Sequence, residues 1–381
     1  MGVTVAATSA RFAEIKNHTH SSAAIFGYCL MVGNLGSITG NLLGSKFVRR
    51  LGTRRTAQTV VFGVASSQIA YGFLNQIWQI PIVAFVAGLT YAIMNIACNS
   101  QGSMIQERMG RSVFPSFHGA WSIGAASASL VAGLLAKHVS VEWHLLGNSL
   151  IGLFGCIAVS RTLLPREIDR QDIELNAEVK HDEPLPAPIN RYLWWVSIGS
   201  LLAIISEVSV GDWSSIYLKD DLQIPVGLNT LGYTCFVLAQ ISGRFTVGKL
   251  IDKHGIPKVI KIGGLLGGVG YLVGILFANT LRTSHHYLAL IVICIAYFIL
   301  GIGVSPMPPS YASVAGSIPG VPTARALMRL GLISSVGFLI GRFIISSLAG
   351  LFGLPIALLF PACALIGSGL LANRLNPSHL K

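Results

Sequence analysis

The sequence predicts an all-α protein that crosses a membrane many times and is built from two related helical halves. Apolar residues make up 52% of the chain and charged residues only 11%, with a mean hydropathy of +0.65. That balance lies outside the range of water-soluble globules. Apolar runs of roughly 20 residues, the length a helix needs to cross about 30 Å of hydrocarbon, recur along the whole chain. Two short basic loops, Ser45–Arg55 and Gly248–Lys258, each lie between two such runs.

In chain order, the first half offers spans near 22–45, 57–76, 78–99, 115–138 and 144–164. The second half offers 191–217, 226–249, 259–279, 286–314, 323–348 and 351–373. These runs are too long and too rich in Leu, Ala and Gly for strands, and helices satisfy every backbone group inside lipid. Setting Gly52 against Gly255 superimposes 22–45 on 226–249 and places Gly40 opposite Gly243. Met1 then falls opposite Ile204, and nothing matches Arg191 to Ala203. The first helix is therefore expected as a stub, Met1–Ala10, which implies either a start further upstream or a shortened first helix. The stub lacks the basic start and apolar core of a secretory signal. The expected organisation is a helical bundle over 1–165, with a partial first helix and five spans, a linker over 166–190, and a six-helix bundle over 191–381.

Charge fixes the orientation. The loops after the even-numbered spans and the C-terminus hold 20 of the 27 Lys and Arg residues, against five on the other side. The positive-inside rule places the richer set in the cytoplasm. The net charge of +12 then reflects topology and attraction to anionic membrane lipids. Basic residues scattered over several loops do not describe a nucleic-acid surface. The acidic, Pro-rich stretch Pro165–Asn190 reads as a cytoplasmic linker, with room for a short surface helix over 167–179. Cys29, Cys98, Cys156, Cys235, Cys294 and Cys363 each lie singly in an apolar span. They suit neither a metal site nor a disulfide framework and read as small core residues.

Ionisable groups inside a span are costly and tend to face a cavity or a partner. Glu207 and Asp212 in the seventh span are such groups, with Arg244 in the eighth and Arg342 in the eleventh. For Glu207 two readings stand: a site that takes up and releases a proton, or a structural ion pair with Arg244 or Arg342. Asp212 either shares the coupling role or caps a helix end. Asn95 and Asn99 lie one turn apart on the fourth span and, with Gln101, offer amides that both donate and accept. Facing Trp121, they suit a polyhydroxylated solute; interhelical glue is the alternative. Trp213 and Gln240 complete the cavity candidates. His118, near the cytoplasmic start of the fifth span, either titrates near neutrality or hydrogen-bonds a neighbouring helix. Gly36, Gly40 and Gly44 form a stripe on the second span, and Gly263, Gly264, Gly267, Gly268, Gly270 and Gly274 crowd the ninth. Such stripes let helices approach closely. Pro306, Pro308 and Pro309 must bend or end the tenth.

The pattern G-x-x-x-D-(R/K)-x-G-x-x-(R/K), met by Gly248, Asp252, Lys253, Gly255 and Lys258, resembles the signature loop of the major facilitator superfamily. The first copy departs from it, with Ser45 for the opening glycine and Arg49 for the aspartate. The resemblance implies two six-helix bundles, here about 11 full spans plus a stub, working by alternating access. It also implies that Asp252 caps a helix start and latches the cytoplasmic side through an arginine of the other half, with Arg108 and Arg111 as partners. Asn95–Gly102, Glu107–Arg111, Ser116–Gly124, Glu207 with Asp212-Trp213, and Pro306–Pro309 are similar to a bacterial subgroup related to fucose permeases. That subgroup often has aspartate at the position of Asn95, so the fourth helix lacks the carboxylate a coupling role there needs. The implied function is secondary transport of a small polar solute, of the sugar class or a related metabolite, across the cell membrane. A proton gradient supplies the energy, with no cofactor and no metal, and the protein works as a monomer. A drug or metabolite exporter of the same superfamily is the alternative, although Gly119 to Gly133 lacks the central proline that exporters carry there. A membrane receptor or scaffold is a further alternative. The sequence carries no HExxH, nucleophile elbow or Walker loop for an enzyme.

Overall fold

The computed structural model describes residues 1–109, 114–165, 185–282, 284–318, 321 and 323–375. The chain divides into two compact units, Met1–Val179 and Lys180–Lys381. All secondary structure among the described residues is helical. Eight helices there are long and apolar enough to cross a membrane. Helices also occupy the other three expected spans, near 57–76, 115–138 and 226–249.

The first unit contains α1 (Gly2–Ala10), α2 (Phe12–His18), α3 (Ala23–Leu51), α4 (Thr53–Gly72), α5 (Gln79–Met109), α6 (Phe114–Leu135) and α7 (Val141–Ser160). Helix continues past the expected stub: it breaks only at Arg11 and resumes to His18. The polar sequence Phe12-Ala13-Glu14-Ile15-Lys16-Asn17-His18 hid this turn from a search for apolar runs. Tertiary contacts hold it instead. Arg11 is fully buried, pairs with Glu14 at 2.6 Å, and donates from Nη2 to the Val139 carbonyl at 3.1 Å. Its Nη1 also lies 3.4 Å from His144 Nδ1.

The glycine stripe of α3 is where two backbones touch. A Cβ at Gly36 or Gly40 would overlap the Phe85 or Leu89 carbonyl oxygen on α5. Ser22 caps the start of α3 by accepting from the Ile25 N–H at 3.3 Å, which satisfies one of the orphan donors there.

The second unit contains α8 (Ala187–Ile216), α9 (Leu231–His254), α10 (Ile256–Leu281), α11 (His286–Val304), α12 (Met307–Gly316), α13 (Thr323–Phe352), α14 (Leu354–Ala357) and α15 (Leu359–Leu371). A π-helical turn, Tyr217–Asp221, extends α8. The tenth span is interrupted at Ser305 and Pro306. Pro308 and Pro309 then occupy the first turn of α12, where a missing N–H costs nothing. The glycines of α10 seat it between two neighbours: a Cβ at Gly263 would come within 2.7 Å of the Gly303 carbonyl on α11, and one at Gly268 within 2.9 Å of the Ala362 carbonyl on α15.

Helix pairing repeats between the units. In the first, α3 packs on α5, α4 on α7 and α1 on α6. In the second, α9 packs on α11, α10 on α15 and α8 on α13. The two basic loops also turn alike. Gly52 joins α3 to α4 at φ 79°, ψ 160°, and Gly255 joins α9 to α10 at φ 78°, ψ 155°. Only glycine adopts this region readily. Each glycine N–H closes its preceding helix, to Val48 at 2.8 Å and to Ile251 at 2.7 Å.

Candidate functional site

Three helices of the second unit bring the intramembrane charges together. On α8, Glu207 and Asp212 are five residues apart, so their side chains leave the helix in different directions. Asp212 meets Arg342 of α13. The arginine donates from Nε to Oδ2 at 2.5 Å and from Nη2 to Oδ1 at 2.9 Å, a two-bond fork. The Asp212 side chain is only 7% exposed and that of Arg342 20%. Such forks are the strong form of ion pair, and removing one partner strands a buried charge. Asp212 does not cap a helix end: α8 runs on to Ile216, and the carboxylate is used between helices.

Glu207 meets Arg244 of α9 rather than Arg342. Its Oε1 lies 3.7 Å from Arg244 Nη2, and both side chains are a quarter exposed. The contact is longer and wetter than the Asp212–Arg342 fork.

A small cleft between α8 and α13 is lined by Ser209, Asp212, Trp213, Phe338, Arg342 and Ile345, among others. Trp213 is 1% exposed, and its indole N–H has no hydrogen-bond partner among the described residues. An unmade bond in such a place costs on the order of 1–3 kcal/mol. Gln240 of α9, one turn before Arg244, is equally buried, with its amide nitrogen also unpartnered.

In the first unit, Asn95 and Asn99 are exposed on α5, and Asn99 Nδ2 donates to Asn95 Oδ1 at 2.7 Å. Trp121 is half-buried on α6, and its carbonyl lies against Gly2 of α1. Gln101 does not join them. It is buried at 2% exposure and donates to Thr53 Oγ1 at 2.5 Å and to the Leu164 carbonyl at 3.2 Å. Its Oε1 accepts from the Leu164 N–H at 3.0 Å. The amide therefore ties the start of α4 to the chain beyond α7, and has none left for a solute. His118 is on α6, but its side chain lies outside the described residues.

At the signature loop, Gly255 supplies the turn, and Gly248 faces open space. Asp252 and Lys253 are exposed in the last turn of α9. Among the described residues Asp252 makes no hydrogen bond to the start of α10, so the expected cap is not formed. Gly255 itself is the N-cap. Arg108 is exposed in the last turn of α5. Arg111 and residues 166–184, with the expected surface helix over 167–179, lie outside the described residues, while the end of the expected linker, residues 187–190, already belongs to α8.

Sequence reasoning missed the buried Arg11–Glu14 pair and its neighbour His144. The available signal was an Arg and a Glu at i,i+3 in the first turns of the chain, the spacing at which side chains on one helix face meet.

A sequence profile described as Major Facilitator Superfamily matches residues 1–225 and again 196–379. The chain belongs to the major facilitator superfamily. Its overlapping matches fall on the two halves that the helix pairing shows to be repeats. The chain is 25% identical over 375 residues to an uncharacterised transporter, y4wD, of Sinorhizobium fredii, covering 94% of each. Among solved structures it resembles the nucleoside transporter NupG, at a TM-score of 0.73 and 13% identity, covering 98% of this chain and 95% of that one. It also resembles a D-xylose-proton symporter at a TM-score of 0.74 and 15% identity, covering 97% and 94%. These two likenesses establish the fold. This superfamily member is a multi-pass protein of the cell membrane and a transporter.

Proposed function

We propose that the protein is a proton-driven secondary transporter of a small polar solute, of the sugar class or a related metabolite. The observation that carries this reading is the contrast on α8 between the open pair Glu207–Arg244, at 3.7 Å with both sides a quarter exposed, and the locked pair Asp212–Arg342. Ionisable residues inside a span mark proton and solute pathways, and Glu207 is the more exposed and more loosely held of the two carboxylates of α8. Protonating Glu207 removes its charge attraction to Arg244, and re-ionising it restores the pair. That two-state contact biases one arrangement of helices over another. Exposed amides at Asn95 and Asn99 and the half-buried Trp121 ring supply donors, acceptors and an apolar face for a hydroxylated ring. The names of the two similar structures, a nucleoside transporter and a D-xylose-proton symporter, agree with that solute class. Asp252 with Arg108 or Arg111 serves as the one-sided cytoplasmic latch, since Arg49 occupies the aspartate position in the first copy.

The test uses proteoliposomes containing the full chain, an inward proton gradient and a panel of labelled hexoses and pentoses. The wild-type protein should accumulate at least one solute above equilibrium. Glu207→Gln, which keeps the shape but carries no proton, should abolish accumulation and retain solute exchange. Full accumulation by that variant would remove Glu207 from the mechanism.

A further inference from the structure

We infer that Cys235 of α9 and Cys294 of α11 form an oxidation-sensitive pair, and that their conversion to a disulfide by a small peroxide ties the two helices together and arrests transport. The two thiols are hydrogen-bonded to each other across the α9–α11 contact, and both are half-buried. Packing places them there independently. Gly232, Cys235, Phe236 and Ala239 recur at helical spacing on one face of α9, as Cys294, Tyr297 and Gly301 do on one face of α11. Those two faces touch. A Cβ at Gly232 would come within 2.9 Å of the Tyr297 ring, and one at Gly301 within 2.5 Å of the Phe236 carbonyl oxygen.

Other thiols are placed differently. Cys29 donates to the Ile77 carbonyl at 4.0 Å, and Cys98 to Met1 Sδ at 3.8 Å. Cys98 and Cys363 are the exposed ones, so exposure alone directs an oxidant to them, whereas thiol pairing directs it to Cys235 and Cys294. At a rise of about 1.5 Å per residue, Cys235 lies about 6 Å into α9 and Cys294 about 12 Å into α11. On the orientation given by the positive-inside rule both helices start at the outer face. That side is remote from the thiol reductants of the cytosol, so a disulfide formed there persists.

The chemistry needs a two-electron oxidant, here hydrogen peroxide. The sulfur of one thiolate attacks a peroxide oxygen, the O–O bond breaks, and hydroxide leaves to give a sulfenic acid. The second sulfur then displaces the sulfenic hydroxyl: the S–S bond forms, the S–O bond breaks, and the second thiol's proton leaves with the hydroxide as water. Two thiols and one peroxide become one disulfide and two waters. The effect on transport rests on the reading above, in which the Glu207–Arg244 contact is made and broken. Helix α9 carries that arginine, and a covalent bond to α11 restrains its movement. The disulfide itself does not depend on that reading.

The test exposes the full-length protein in nanodiscs to hydrogen peroxide, removes the excess with catalase, and labels the remaining thiols with a maleimide after denaturation. Peptide mass spectrometry of the wild-type protein should show the Cys235 and Cys294 peptides joined, two hydrogens lighter than their sum and separable by dithiothreitol, before Cys98 or Cys363 is consumed. The link closes the chain between the two positions and should raise the melting temperature. Cys235→Ser and Cys294→Ser should show neither the joined peptide nor the rise. The joined peptide is read in the wild-type protein, so a variant that misfolds leaves the test decisive. In proteoliposomes with the inward proton gradient and the labelled hexoses and pentoses, peroxide should bring wild-type accumulation and exchange down to the protein-free level. Dithiothreitol should restore both, and the serine variants should resist the treatment. Consumption of Cys98 and Cys363 while both paired thiols stay labelled, or oxidation of either one without a link, overturns the pair. A complete link that leaves transport at its untreated rate overturns the arrest. Absence of uptake by the untreated protein counts against the sugar-class transport reading, while the joined peptide upholds the pair.

Discussion

The two halves of the chain share a helix-pairing scheme and differ in how they use charge. In the first unit the buried cation Arg11 is neutralised three residues away by Glu14, at 2.6 Å and within one turn. In the second unit both carboxylates of α8 are neutralised from other helices, by Arg244 of α9 and Arg342 of α13. The Arg11 cluster is mixed: besides Glu14 it reaches the Val139 carbonyl and His144, and His18 lies 3.7 Å from Glu142 of α7. Among the described residues both carboxylates of α8, by contrast, are paired only with arginines of other helices, and such a pair is made or broken when those helices shift.

That contrast can be broken at several points. The largest effect is expected from Asp212→Ala, which leaves Arg342 with an uncompensated charge in a mostly buried site. Loss of one partner of a buried pair costs on the order of 3–5 kcal/mol. A melting curve of the purified protein should show a drop of many degrees, and a melting temperature equal to wild type would show that the fork is dispensable. Next come the paired turns. Gly255→Ala and Gly52→Ala each force a side chain into the region near φ 78° and ψ 155–160°, a strain of order 1–3 kcal/mol. Similar losses at both positions would support the equivalence of the two loops. A loss at only one would show that the halves turn differently.

Gln101→Ala should cost about 1–2 kcal/mol, since it removes three hydrogen bonds that tie α5 to Thr53 of α4 and to Leu164 after α7, with Leu164 only partly buried. Transport affinity should be unchanged in that variant. A large change in affinity with normal stability would return Gln101 to the solute site.

Much of the fold was legible in the sequence because hydrocarbon imposes a length on every span. All eleven expected spans coincide with helices, and the glycine stripes at Gly36 and Gly40 and on α10 mark close backbone contacts. The two glycines that the alignment set against each other, Gly52 and Gly255, also turn with one geometry. The helix from Phe12 to His18 was not legible, because its apolar face, Phe12, Ala13 and Ile15, is too short to read as a span and its support includes the buried Arg11 cluster. The candidate site was legible as a set of residues but not as pairs. Glu207 could have met either arginine, since the partners lie on helices far apart in sequence and only packing decides. Gln101 looked like its neighbours Asn95 and Asn99 by type, yet its turn of α5 faces the inside of the unit.

On the proposed mechanism the loose pair on α8 couples solute to protons while the locked pair does not. The most direct measurement compares proton-driven accumulation with solute exchange in proteoliposomes of the Glu207→Gln variant. The pair is long and partly wetted, so the substitution should change stability by less than about 1 kcal/mol. Full exchange with no accumulation against a gradient is the expected result; accumulation at the wild-type level would contradict it.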